Sequence, residues 1–547
     1  MTAAGSARRP GDRLGIAGAA ALIASVLLVW LDLGDHALYS PDEGRYALAS
    51  ASMLDRGDWA APEYRGRAHL TKPPLAYWLQ AASMSLFGRS EWALRAPSAL
   101  ASSLTVLVVF AAGRASLGAR GGVIAAALTA LAPLSFVMGR LATTDSLLNL
   151  WWQGALLGGL LAVRSGRRRW AALMWTAAAL GLLTKGPVAL TPVGVTLAWA
   201  LLARARGAVR RLGLWWGLPA AMAPLAGWVV AVWRTHPEAF EIWRHEILDR
   251  AAGTGDHTEP IWFYLPVLLV GAFPAVAALW SPAMWRLGRW RDGLARAAPT
   301  ALWALAVAGP FVMFSLIGGK LPSYMLPLVG PMALIASATL TRGLDSSRPP
   351  AALVAQTVIM AIVAAGAIAA TALRAERFIL DAAALALVPI AGAAAWLVWR
   401  RAPRRPVALV GVLAAWLAVY VAGTDAEDRL RPRTDPRVLL RVIEDAAERA
   451  GVPEERIAFF AFYEPSVVFY AGREIPVVAD ADGIASLESR LGGPVALIAD
   501  RRTWEGWFRE TAPLTAQRFR VIAEGRRWVS RDVVILTDTP EEQDDAG

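Results

Sequence analysis

The chain has 547 residues, no cysteine, a formal net charge of +11 and 56% hydrophobic residues, with 25 tryptophans. A disulfide framework and a cysteine-held metal are excluded. Nucleic-acid binding is not implied, because the arginines fall in short bursts between long apolar runs and form no basic domain or stripe.

Residues 1–13 carry Arg8, Arg9 and Arg13 ahead of the first apolar run, which reads as a retained signal anchor. About 20 apolar residues cross a bilayer as a helix. Thirteen runs of this kind fall near 14–32, 92–113, 121–140, 144–163, 170–184, 187–204, 212–233, 261–281, 298–317, 324–341, 350–372, 376–399 and 406–423. They are rich in Ala, Leu and Gly without strict alternation, so helices are expected rather than barrel strands. The short pair flanking "TKGP" is the weakest point; one broken helix there would reverse all later parity.

Charge tests the count. With the N-terminus in the cytoplasm, the inward loops contain Arg114 and Arg120, "RSGRRRW" (164–170), "RARGAVRR" (204–211), "WRLGRWRDGLAR" (285–296), "TRGLDSSR" (341–348) and "RRAPRR" (400–405). All are arginine-rich, as the positive-inside rule expects. The opposite face receives the loops 33–91 and 234–260, the turn at 141–144, "TKGP", "GGKLPSY" and the tail. All five histidines lie on that face, and so do the three lysines of the chain, Lys72, Lys185 and Lys320. The lysines therefore sit on the wrong side to act as topology signals.

Residues 1–423 thus read as a polytopic helical membrane domain, and 424–547 as a small extracytoplasmic α/β domain. In the latter, "VLLRVIEDAAERAG" and "GIASLESRLGG" suit helices. "RIAFFAFY", "SVVFYAG", "PVVAD", "VALIAD" and "DVVILTD" suit short strands.

Several stretches carry chemistry. In "YSPDEGRYALASASML" (39–54), Ser40 fits an N-cap, Pro41 the first helical position and Glu43 the third residue of a capping box. Asp42 then shares a helical face with Arg45 and Tyr46. In "HLTKPPLAYW" (69–78), Pro73 and Pro74 hold the chain extended after Lys72. In "RLATTDSLLNLWW" (140–152), Asp145 opens an apolar helix that Thr143 or Thr144 would cap. "LLTKGPVAL" (182–190) and "GGKLPSYMLP" (318–327) place Lys185, Lys320 and Tyr324 at outer turns. In "FEIWRHEILDRAAG" (240–253), Glu241, His245 and Asp249 share one face, a spacing that suits a divalent metal or ordinary ion pairs. Each stretch also has an ordinary structural reading, as a cap, a snorkelling lysine or a surface ion pair.

Amines beside a membrane suit a lipid-linked phosphate, since an ammonium is a compact point charge for phosphate oxygens. Acids nearby suit a general base on an acceptor. Sugar transfer from a polyprenyl phosphate needs both, and no nucleotide-binding loop is present. A transporter or flippase of lipid-linked saccharides is the alternative, but such proteins place polar groups on broken helices near the midplane, and these charges lie at helix ends. A non-catalytic lipid-binding subunit is a second alternative.

"PDEGRYA", "KPPLAYW", "RAPS" (95–98), an Asp opening the fourth span, "TKGP" and "KLPSYMLP" together resemble the bacterial GT-C membrane glycosyltransferases, relatives of the protein O-mannosyltransferases that include the lipid A aminoarabinose transferase. The resemblance runs through most of 1–423 and implies a GT-C fold, a polyprenyl-phosphate-linked sugar donor, a lipid, glycan or protein acceptor outside the cytoplasm, and inversion at the sugar. It implies Asp42 as the catalytic carboxylate, with Asp145 as a second acid and Glu43 beside them. Arg45, Tyr46, Lys72, Lys185, Arg250 and Tyr324 would line the lipid-phosphate pocket, with Lys320 added for its charge. His245 falls where the aminoarabinose transferase holds a metal. That enzyme has a glutamate immediately before the "KPP" lysine; this chain has Thr71, which puts both the metal and the lipid A assignment in question.

Overall fold

The structure is a computed structural model. It describes residues 16–39, 41–205, 207–244, 259–276, 298–344, 435–528 and 531–538. The expected spans at 350–372, 376–399 and 406–423 lie outside them, as do His245, Asp249 and Arg250. Two compact units emerge. One comprises residues 1–33, 52–63 and 68–423; the other comprises 34–51, 64–67 and 424–547.

The first unit is helical and membrane-embedded. Among the described residues, six helical stretches are long and apolar enough to cross a bilayer, and Gly18–Trp30 is a shorter one. Helix α1 (Ile16–Leu27) opens the unit and α2 (Asp42–Arg56) ends in it. Helices α3 (Leu75–Phe87), α4 (Glu91–Ala130) and α5 (Pro133–Gly139) follow.

Helix α4 breaks at Gly118, whose φ of 83° favours glycine, and the chain folds back on itself there. A Cβ on Gly113 would lie 2.8 Å from Gly122 Cα, so the two arms meet through bare glycines. The expected pair of spans at 92–113 and 121–140 is therefore a hairpin. The second arm differs from expectation: it stops at Ala130, and Pro133, which cannot extend a helix from its N-terminal side, starts α5 as a separate element.

Helices α6 (Asp145–Ser165) and α7 (Arg168–Lys185) pack antiparallel, α7 ends on a 3₁₀ turn (Gly186–Leu190), and α8 (Thr191–Leu202) follows. A Cβ on Gly158 of α6 would come within 2.6 Å of Met174 N, and one on Gly159 within 2.6 Å of Thr196 of α8. Trp151, near the other end of α6, donates to Thr184 at 3.1 Å. Following these contacts, α7 runs towards Asp145 and α8 runs back. The chain reverses at "TKGP" rather than continuing as one bent helix. Helices α9 (Ala208–Leu212), α10 (Leu214–Thr235), α11 (Tyr264–Gly271), α12 (Pro299–Leu316) and α13 (Leu326–Leu344) complete the described part of the unit.

Among the described residues, Arg164 and Arg211 gather at one end of α6. Arg164 Nη1 donates to Ala115 O at 2.9 Å, and Arg211 Nη1 donates to Val163 O at 2.7 Å. Cations thereby satisfy carbonyls that helix ends leave without intrahelical partners. Asp145 and Lys185 lie at the opposite ends of α6 and α7.

The second unit is α/β. Strands β1 (Ile457–Phe460), β2 (Val477–Val478), β3 (Ala496–Asp500), β4 (Arg520–Trp528) and β5 (Arg531–Thr537) form one sheet in the order β2-β1-β3-β5-β4. Strand β1 is parallel to β2 and β3, while β5 is antiparallel to β3 and β4. Helices α14 (Pro436–Arg449) and α16 (Ala481–Leu491) occupy the expected stretches. "SVVFYAG" differs from expectation: it is helix α15 (Pro465–Ala471), bracketed by Pro465 at its start and Gly472 in the left-handed region at its end. Strand β4 was not foreseen in the sequence.

The close approach at Gly158 predicts that Gly158→Val destabilises the purified protein by about 1–3 kcal/mol, since overpacking against a backbone cannot be relieved by rotamer changes. Gly227→Ala, in α10 with no atom within 4 Å of its added Cβ, is neutral or slightly stabilising. Thermal unfolding in detergent distinguishes the two.

Candidate active site

Within the first unit, a cavity of ≈ 510 Å³ opens where α6 begins and α7 ends. Its polar lining comes from four separate stretches: Lys72, Asp145, Lys185 and Tyr324. Its walls are apolar, with Leu148, Trp228, Trp243 and Phe314 prominent.

Asp145 occupies the first residue of α6. Thr144 precedes the helix without making a capping hydrogen bond, and Thr143 Oγ1 points to Asp145 Oδ2 at 3.4 Å. The expected threonine cap is therefore not formed. The Asp145 carboxylate is engaged elsewhere: Lys185 Nζ lies 2.6 Å from its Oδ1, with the two side chains 13% and 12% exposed. Lys185 is held there because Gly186, with φ 74°, ends α7 immediately after it. The ammonium also sits 5.0 Å from the centroid of the Tyr324 ring, and that ring leans on Phe314 at 5.4 Å. An ion pair with little water around it acts over a lower effective dielectric than one at a surface, so its orientation is strongly specified.

Lys72 lies on the cavity wall, with Nζ 3.1 Å from Thr71 O. Pro73 and Pro74 follow, and α3 starts only at Leu75, so the lysine stays on an extended segment as its sequence requires. Lys320 does not line the cavity. It is 5% exposed, and its ammonium donates to Glu259 O at 2.8 Å and Gly318 O at 3.4 Å. An amine committed to two carbonyls ties its loop down.

The aromatic wall had no signal in the sequence. Trp228 lies in α10, where it reads as one more apolar residue of a span. It stacks at 5.4 Å against Trp243, and each indole N–H is anchored: Trp228 to Ala60 O at 2.9 Å and Trp243 to Leu70 O at 2.8 Å. Both rings are held by the loop that also carries Lys72.

The other candidates belong to the second unit. Asp42 is exposed at the start of α2; Arg45 and Tyr46 are half-buried. Glu43 is 1% exposed, and its Oε2 accepts the Tyr39 N–H at 2.7 Å. Ser40, the expected partner in a capping box, lies outside the described residues. Arg45 donates to the Tyr64 hydroxyl. Burial raises the Tyr64 phenol above its ordinary pKa, against the pull of Arg45 and Arg65.

The residues present do not make a metal centre in the described part of the chain. No group of three His, Asp or Glu side chains is close enough to hold an ion among the described residues. Thr71 supplies a hydroxyl, 3.3 Å from His69 Nε2, where a carboxylate would be needed.

Residues 71–233 match the sequence profile of the dolichyl-phosphate-mannose-protein mannosyltransferase family. The undecaprenyl phosphate-alpha-4-amino-4-deoxy-L-arabinose arabinosyl transferase of Edwardsiella ictaluri is 33% identical over 325 residues, 58% of this chain and 58% of its own length. That of Pseudomonas aeruginosa is 34% identical over 334 residues, 59% of each. The matches thus span under two thirds of these relatives. The crystal structure of ArnT from Cupriavidus metallidurans bound to undecaprenyl phosphate superposes with a TM-score of 0.75 at 23% identity, covering 96% of this chain and 99% of that one. Its apo form gives 0.71 at 24% identity, covering 95% and 97%. The chain is thus similar to the aminoarabinose transferases over somewhat more than half of its length and carries the fold of the ArnT structures.

Proposed function

We propose that this membrane protein transfers a sugar from a polyprenyl-phosphate donor to an acceptor outside the cytoplasm. The observation that carries the reading is the cavity: two amines and one carboxylate on an otherwise apolar wall. An apolar surface suits the isoprenoid, and Lys72 and Lys185 suit its phosphate. The ArnT crystal form of the same fold contains undecaprenyl phosphate. The names of the relatives speak of aminoarabinose, which supports an amino sugar as cargo, and the acceptor is a lipid A-like lipid, a glycan or a protein.

The chemistry follows from charge. A sugar linked to polyprenyl phosphate is a phosphodiester with one negative charge. When an acceptor oxygen attacks the anomeric carbon, the bond from that carbon to the phosphate oxygen breaks, and the departing monoester gains a second charge near neutral pH. The leaving group needs no proton, unlike a sugar alkoxide. It needs cations whose attraction grows as the bond breaks, and Lys185 and Lys72 provide this. Asp145, 2.6 Å from Lys185 Nζ, holds that side chain in place at the cavity wall before a phosphate binds. Asp42 takes the proton of a hydroxyl acceptor, or aligns an acceptor that is already anionic. The transition state is oxocarbenium-like. Glu43, buried and bonded to the Tyr39 N–H, supports the turn before Asp42. Arg45 and Tyr46 serve the same site; Arg250 and His245 lie outside the described residues.

The orientation is part of the proposal. The arginine-rich ends of α6 and α7 face the cytoplasm by the positive-inside rule, which puts the cavity on the extracytoplasmic side; the extracytoplasmic placement of 424–547 rests on the parity of the thirteen spans alone. No step is routed through a metal, given Thr71.

Three outcomes are expected from purified protein in lipid nanodiscs with a polyprenyl-phosphate sugar. Asp42→Asn loses turnover by 10²-fold or more yet retains lipid-phosphate binding; unchanged turnover would favour a non-catalytic lipid binder. Lys185→Ala weakens inhibition by the product polyprenyl phosphate by roughly 10–100-fold, the range of a lost charge-assisted hydrogen bond; equal inhibition would remove Lys185 from the phosphate site. Chelators leave the rate unaltered, whereas loss on chelation with recovery on adding a divalent ion would restore the metal at His245.

A further inference from the structure

Residues 424–547 carry no motif of their own, yet residues 34–51 and 64–67 cluster with them and not with the rest of the first 423 residues. The contacts are specific. Gly44 lies against α15: a Cβ there would be 2.5 Å from Ser466 N and 2.8 Å from Pro465 C, both backbone atoms that cannot swing away. Leu48, one turn on, packs against the apolar cluster formed by α14 and one face of the sheet. Tyr470 OH accepts the Leu38 N–H at 2.8 Å, fixing the approach to α2. A turn at Arg65–Gly66, both with positive φ, presents Tyr64 to Arg45, and the Tyr64 ring meets Tyr463 edge-on at 5.7 Å.

Pro465, Ser466, Tyr463 and Glu464 belong to the loop and helix that follow β1. This is the carboxyl end of the central strand of the parallel trio β2-β1-β3, the end where open α/β sheets usually hold their ligands. Here that end holds the first turns of α2, whose exposed residue is Asp42.

We propose that the C-terminal unit is the mount of the catalytic segment, and that Gly44 and Tyr470 are positioning residues that set the attitude of Asp42. The inference rests on the transferase reading. Its physical content is a division of labour. The donor phosphate is held by Lys72 and Lys185 in the membrane unit, so donor affinity does not depend on the mount. The rate of the chemical step does, because a shift of about 1 Å in a reacting group costs on the order of 10²-fold.

The test uses the full-length chain in nanodiscs and exploits its lack of cysteine. Gly44→Ala lowers kcat at least tenfold with donor KM within twofold of wild type. Tyr470→Phe, which loses only a hydroxyl, lowers kcat severalfold with the melting temperature unchanged. In a Leu48→Cys reporter, thiol labelling is slow and becomes faster when Gly44→Ala is added. Wild-type transfer accompanied by normal kcat in both variants overturns the mount, as does a matched rise in donor KM. A wild type that transfers nothing overturns the transferase reading itself, and the labelling rates then report separately whether α2 is seated.

Discussion

The ion pair between Lys185 and Asp145 is the constraint around which the membrane unit is arranged. A lone ammonium on a mostly apolar wall would be costly, and so would a lone carboxylate. Paired at 2.6 Å, each makes the other tolerable. The pairing demands that the end of α7 meet the start of α6, which requires antiparallel packing of the two helices through Gly158 and an abrupt end to α7 at Gly186. Tyr324 then fits over the ammonium, which requires α13 to begin alongside. Under the proposed function, a phosphate entering the cavity would meet a cation that is already in place, which leaves little reorganisation for the moment of reaction.

Two kinds of polar group are thereby kept apart. Arginines close helix ends at one side of the membrane unit, where Arg164 and Arg211 cap carbonyls. The lysines are found at the other. An arginine fork suits several carbonyls or a static anion, while an ammonium has three rotatable donors and suits a phosphate whose charge changes during the reaction. Lys320 qualifies this division: it has the right residue type and lies in a turn of charge and proline, but its ammonium is engaged by Glu259 O and Gly318 O.

Much of this was legible in the sequence for reasons that are local. The break between apolar runs at 114–120 and the glycine and proline of "TKGP" marked the reversals near Gly118 and Gly186, and the motif set "KPP", the Asp of "TTD", "TKGP" and "KLPSY" named Lys72, Asp145, Lys185 and Tyr324, which line the cavity. Where local rules competed, the sequence misled. Pro133 splits an apolar run that hydropathy treats as continuous. Pro465 and Gly472 turn a β-rich string, "SVVFYAG", into a short helix. Strand β4 escaped notice because it is an edge strand carrying Arg520, Glu524, Arg526 and Arg527, which obscure any apolar alternation. Long-range facts had no signal at all. Nothing marks Trp228 and Trp243 as one wall, and nothing says that residues 34–51 cluster with residues four hundred positions away.

The relatives' names speak of undecaprenyl phosphate and aminoarabinose, and the fold is that of the ArnT structures; the proposed donor site of this chain is the cavity. The most direct measurement is a structure of the protein in nanodiscs with polyprenyl phosphate bound. The account predicts the phosphate within hydrogen-bond reach of Lys185 Nζ and Lys72 Nζ, with the first isoprene units against Trp228 and Phe314. A lipid phosphate bound among the arginines at the far ends of α6 and α7, or a cavity that stays empty at saturating lipid, would contradict it.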